Sequence, residues 1–185
     1  MKRLLKWSLL VLIGLLLIAI IAAAVYVYGK RVQRSGNQVL MGLQAEVTVQ
    51  YDERGVPHIE AKNEADLYRA LGYVHAQDRL FQMEMVRRLA KGELAEILGP
   101  QLLDTDRLFR TLGFRKYAVA DAAKLDKNSP AVNAPNAYLD ALNQCQAGHD
   151  SPLEFEFLGC PTPPCTAEDA EGVPGQLASR CAPTS

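Results

Sequence analysis

The sequence predicts an α+β protein, mainly helical, with a β-hairpin opening its folded body and one apolar helix ahead of that body. Three observations predict it. An uncharged run of 21 residues, Ser8 to Tyr28, comes first. Apolar and polar residues then alternate on both sides of a turn, at 46–60. From Asn63 onward the apolar spacing is mostly helical.

The apolar run is SLLVLIGLLLIAIIAAAVYVY. As a helix it spans roughly 30 Å, the thickness of a bilayer's hydrocarbon core. Lys2, Arg3 and Lys6 precede it, and Trp7, Tyr26 and Tyr28 stand where interfacial aromatics belong. A cleaved signal peptide is the rival reading, because Ala22-Ala23-Ala24 offers small residues at a cleavage spacing. The run continues past those alanines to Tyr28, which favours an uncleaved anchor over residues 1–30. Lys30, Arg31 and Arg34 make the far flank basic too, so the flanks do not fix orientation. With no second span in the sequence, the N-terminus is expected in the cytoplasm and the body on the periplasmic or extracytoplasmic side of the inner membrane.

The rest has the composition of a folded chain, since 49% of all residues are apolar and 22% charged. A formal charge of −1 provides no basic face for nucleic acid. Residues 31–45, with Gly36, Gly42 and several polar side chains, read as a linker.

Val47, Val49 and Tyr51 alternate with polar residues as in a half-buried strand. Asp52-Glu53-Arg54-Gly55 makes a turn, and Val56 to Glu60 returns as a second strand, with Pro57 at its start or edge. Asn63 is an N-cap, with Glu64 and Asp66 complementing the helix dipole. The helix it starts runs to about Leu89. Leu67, Leu71, Val74, Phe81 and Met85 form one stripe; Tyr73, Ala76, Leu80 and Met83 form another on the opposite side. A helix apolar on two faces is packed between layers. Asp78 falls within the first stripe, so it is expected as a buried carboxylate held by donors, with an acid or base role as the alternative.

Lys91-Gly92-Glu93 interrupts the helix, and Leu94 to Leu98 makes a turn or two before Gly99-Pro100 stops it. Asp104-Thr105-Asp106 is expected to cap a helix carrying Leu108, Phe109, Leu112 and Phe114. Asn128 to Pro135 reads as a loop, and Asn136 as the cap of a short helix, AYLDALNQC. Cys145, Cys160, Cys165 and Cys181 permit disulfides in an exported body. His58, His75 and His149 stand at no metal-ligand spacing from a cysteine pair. His75 flanks an apolar stripe and reads as a packed, hydrogen-bonded histidine.

DERGVPHIEA after a strand, GYVHAQDRLFQMEMVRR on a helix, then GELAEILG, AYLDALN and PLEFEFLG in that order, resemble the start of the penicillin acylase (penicillin amidase) family. The likeness runs from Glu46 to Gly159 and continues into TAED, Thr166 to Asp169. The resemblance implies the α-chain portion of a four-layer αββα N-terminal-nucleophile hydrolase, here residues 46–169. It implies a β-chain partner whose N-terminal serine is the nucleophile, with that serine's own α-amino group as base. Oxyanion donors on the β-chain, an acylated small-molecule amide as substrate, and calcium in the complete enzyme follow in the same way. It places no catalytic, cofactor-binding or metal-ligating residue in this chain. Ser179 and Ser185 lack the context of the family's serine, and Cys165 departs from the aromatic residue often found before the TAED motif.

Residues 170–185 read as a divergent tail, rich in Pro, Gly and Cys, in which Gly172, Pro174 and Gly175 oppose a helix. The expectation is a truncated or frame-shifted copy, with a natural short α-chain and a separately encoded β-chain as the alternative. Two functional readings follow: part of an amidohydrolase of linear C–N bonds, inactive alone, or a non-catalytic membrane-anchored fragment that binds a partner. A downstream frame encoding a β-chain that begins with serine would separate them.

Overall fold

The computed structural model of the chain describes residues 2–30, 34–124, 130–149, 151–160, 164–166 and 169. Arg31, Asn128, Ala167, Glu168 and the whole tail 170–185, with Ser179, Cys181 and Ser185, lie outside the described residues. Two compact units divide at Gly36. The first contains helix α1, Lys2–Gly29, within which Leu9–Gly29 is long and apolar enough to cross a membrane. Its apolar side chains from Leu9 to Tyr28 are exposed.

The second unit opens on the expected hairpin. Strand β1, Thr48–Tyr51, pairs antiparallel with β2, Pro57–Glu60, in the register Thr48↔Glu60 and Tyr51↔Pro57. Pro57 is the first residue of its strand, where the missing N–H costs least. The turn closes on Asp52, whose carboxylate accepts from Arg54 N (2.9 Å) and Val56 N (2.8 Å). Gly55 adopts φ +76°.

Helix α2, Glu64–Lys91, is the axis of this unit. Asn63 caps it by accepting from Asp66 N at 2.8 Å, and Gly92 ends it in the left-handed region, φ +66°. It packs chiefly against α6, Pro130–Gly148, and more lightly against β2, α4 (Leu103–Leu112) and α5 (Phe114–Lys124). Ala76 and Leu80 of the second apolar strip form the core with Leu142, Cys145 and Phe155. Tyr73, Phe81 and Met83 pack around them. Phe155 comes from the short helix α7, Leu153–Leu158, and meets Phe81 edge-on at 5.5 Å.

Four expectations need correction. Asp78 is half-buried, because the deepest face of α2 is the strip turned to α6; the buried carboxylates of α2 are Asp66 and Glu84. Asp106 does not cap α4. It lies inside that helix, which a 3₁₀ turn at Pro100–Leu102 feeds directly, and its carboxylate instead accepts from Leu94 N and Ala95 N, both at 2.9 Å. Asp106 thereby caps α3, Ala95–Leu98, from a distance. Gly113, φ +72°, separates Leu108, Phe109 and Leu112 from Phe114, which begins α5. The described part of the loop expected at 128–135 is helical: α6 starts at Pro130 and carries Pro135 inside it. A proline opening a helix forfeits no bond, and Pro135 forfeits one, a cost of about 3 kcal/mol. Burial of Val132, Ala137, Leu139, Ala141 and Leu142 at helical spacing outweighs it.

Candidate functional site

Helix α2 gathers polar groups at three levels. At its start, the fully buried Asp66 accepts from Gln44 N and Ala45 N, both at 2.9 Å, and from Asn63 Nδ2 at 2.6 Å. These donors, the Gln44 N–H foremost, hold its carboxyl below the usual range despite burial. Arg69 Nη1 donates to Met41 O at 3.0 Å and ion-pairs with Asp140 of α6. Gln144 binds Met41 from α6 through both ends of its amide, at 2.9 and 3.1 Å. The stretch 41–45, read as linker from its glycines, is therefore fastened to both main helices.

Midway, α2 and α6 cross closely enough that a Cβ on Gly72 would lie 2.2 Å from Tyr138 O. One turn on, His75 Nδ1 lies 3.0 Å from the Tyr138 hydroxyl, and the rings meet edge-on. Burial lowers the His75 pKa, against the pull of Asp78, and pushes the Tyr138 phenol up to about 12. The imidazole and the phenol share one hydrogen bond. The pair is a half-buried polar contact across a helix crossing, as expected for a packed histidine.

Toward its end, α2 presents Glu84 and Arg87, both buried. Arg87 Nε donates to Glu84 Oε2 at 2.7 Å, and Arg88 Nε to Glu84 Oε1 at 2.7 Å. Arg87 Nη1 lies 3.5 Å and Lys91 Nζ 2.6 Å from the Asp169 carboxylate. Thr166 donates to Asp169 through its N–H (2.9 Å) and hydroxyl (3.0 Å).

The remaining candidates show no reactive pairing. His58 sits on the exposed hairpin, 3.7 Å from Asp52. Cys145 Sγ is 3.8 Å from His149 Nδ1, but burial raises its thiol to about 11, so it stays protonated near neutral pH. Cys145, Cys160 and Cys165 are free thiols gathered around one core cluster. Among the described residues, no group of three or more His, Cys, Asp and Glu could hold a metal ion. What this arrangement does is hold helices and segments together.

The profile of the family described as Penicillin amidase matches residues 46–182. The chain belongs to the penicillin amidase family. It is 46% identical over 131 residues to the penicillin acylase 2 proenzyme of Pseudomonas sp. (strain SE83), covering 70% of this chain and 17% of that protein. It is likewise 46% identical over 84 residues to the acyl-homoserine lactone acylase QuiP of Pseudomonas aeruginosa, 45% of this chain and 10% of that one. The chain thus spans less than a fifth of the length of these relatives. Among solved structures, a thermostable penicillin G acylase from Alcaligenes faecalis superposes with a TM-score of 0.62 at 30% identity, over 80% of this chain and 77% of that chain.

Within this penicillin amidase segment, sequence reasoning missed Glu84, Arg87 and Asp169 as a buried set. The signal was partly there: Glu84 stands three and four residues before Arg87 and Arg88, the spacing of helical ion pairs. Asp169 had no such signal, because its cationic partners Arg87 and Lys91 are far away in sequence.

Proposed function

We propose that this chain is the N-terminal, α-chain-like part of a penicillin-acylase-like amidohydrolase that acts on linear C–N amide bonds. Its substrates are β-lactam side chains or other N-acyl compounds. The observation that carries the reading is the family match across 46–182, joined to relatives named as penicillin and acyl-homoserine lactone acylases. In this reading the chemistry belongs to a β-chain: its N-terminal serine attacks the amide carbon, its α-amino group takes the proton, and the acyl-enzyme is then hydrolysed. Calcium belongs to the complete enzyme. Residues 46–169 supply a scaffold, with α2 layered between α6 and the partner. Residues 8–28 anchor the chain in the inner membrane, with the body outside the cytoplasm.

Several features support a partner-dependent scaffold. Buried polar groups of α2 are engaged in fastening other segments, Asp66 holding Gln44 and Ala45 and Arg87 facing Asp169, and Cys145 is held as a neutral thiol. Leu108 and Leu112 of α4 and Tyr117 of α5 remain exposed, apolar surface of the kind a partner layer covers. Co-expression with the β-chain of a penicillin acylase relative tests the reading. Co-purification of the two, through a tag on either, is the expected result; failure to associate under conditions in which the relative's own α-chain does would overturn it.

A further inference from the structure

We propose that Cys165, Thr166 and Asp169 form an electrostatic clasp that fastens their stretch of chain to α2 and α6, and that opens locally when the charge on Asp169 is removed. This goes beyond the functional reading above and does not depend on it.

Two independent fastenings meet at this short segment. On the α6 side, Asn143 brackets Cys165: Cys165 N donates to Asn143 Oδ1 at 2.8 Å, and Asn143 Nδ2 donates to Cys165 O at 2.9 Å. These bonds are neutral and insensitive to pH. On the α2 side, the Asp169 carboxylate, only 7% exposed, takes up Lys91 Nζ at 2.6 Å and Arg87 Nη1 at 3.5 Å. It also organises its own turn, accepting from Thr166 N and Oγ1 while Asp169 N donates to Thr166 O at 3.1 Å.

The charges explain why opening is local. Arg87 has a second partner in Glu84, at 2.5 Å from Nη2, and keeps it if Asp169 is neutralised. Lys91 is the last residue of α2, where the helix dipole favours a cation, and its side chain is 23% exposed. Neither cation is therefore stranded by the loss of Asp169. Without the Asp169 charge, the segment keeps the Asn143 bracket, the packing of Cys165 on the core cluster and a weakened turn, and its end at Asp169 loses its hold on α2.

The groups facing Asp169 are Lys91, Arg87 and, behind it, Glu84 from α2, and the Cys165 thiol from its own segment. From α6, Asn143 is neutral, and the Tyr138 phenol near Cys165 titrates only at about 12. Burial pushes the Asp169 carboxyl up, but Lys91 and Thr166 outweigh it and leave the group below its ordinary 3.8. The clasp is thus fully present above that value and is lost as pH falls through the lower folded one.

Amide hydrogen exchange on the full chain in detergent micelles tests this, with α2 and α6 peptides as internal reference. Asp169→Asn is expected to lower protection at Thr166 and Asp169 by roughly tenfold while the reference peptides stay within about twofold. Lys91→Met keeps the aliphatic stem and should show the same local loss; it decides the matter if the first variant does not fold. Unchanged protection at Thr166 and Asp169 in the folded variants would overturn the proposal. So would an equal loss across α2 and α6, because the segment would then not open on its own.

Discussion

At the α2–α6 crossing the half-buried His75 ring meets the Tyr138 hydroxyl, and burial lowers the imidazole pKa below 6.5. A histidine with a depressed folded pKa binds fewer protons folded than unfolded. Its contribution to stability is therefore complete above the unfolded value and declines as pH falls below it. Urea midpoints measured from pH 7.5 down to about 5 should show the wild type losing its advantage over His75→Asn progressively. A constant gap across that range would mean the ring is not desolvated at the crossing. The lowered carboxyls of Asp66 and Asp169 do not confuse the measurement, because they titrate below 3.8, outside this window. The packed state of His75 was legible from its place beside an apolar stripe. Its partner was not, because nothing local links position 75 to position 138.

Among the elements, α2 and α6 carry the body, and their distance of approach is set at Gly72. A methyl there would gain about 1 kcal/mol in helix propensity. It would also sit 2.2 Å from Tyr138 O and 2.9 Å from Tyr138 C, backbone atoms that cannot swing aside. The clash wins: Gly72→Ala should cost about 1–3 kcal/mol or block folding, read as a lowered urea midpoint or loss of soluble protein. A neutral or stabilising effect would refute the close crossing. The helix α1 makes a separate prediction. The expressed chain should fractionate with membranes and resist alkaline carbonate, whereas a soluble product starting near Val25 would reveal cleavage after Ala24. Element identities were legible where one local signal ruled, as at Asn63, Gly55 and Gly92. They were obscured where tertiary burial overrode it: Pro135 reads as the end of a loop and Asn136 as a helix cap, yet the apolar residues on both sides of them extend α6 back to Pro130. Asp106 reads as a local cap, yet it serves a helix 11 and 12 residues earlier.

For the whole molecule, the family was legible from strings such as GYVHAQDRLFQMEM, and the mainly helical body behind a hairpin follows from the same residues. The long-range polar fastenings were not, because burial of Glu84, Arg87 and Asp169 emerges only once Arg87 and Asp169, 82 residues apart, are stacked. The proposed function makes these 185 residues scaffold and puts the nucleophile on a β-chain. Catalysis by this chemistry needs a nucleophile, a base in hydrogen-bond reach and oxyanion donors in one geometry, all of which the reading assigns to the β-chain. The most direct measurement is release of a chromogenic amine from phenylacetyl and long-chain acyl amides by the purified chain in detergent. The account predicts no release above the uncatalysed background. Sustained turnover by the isolated chain, abolished by a serine-directed acylating reagent, would contradict it.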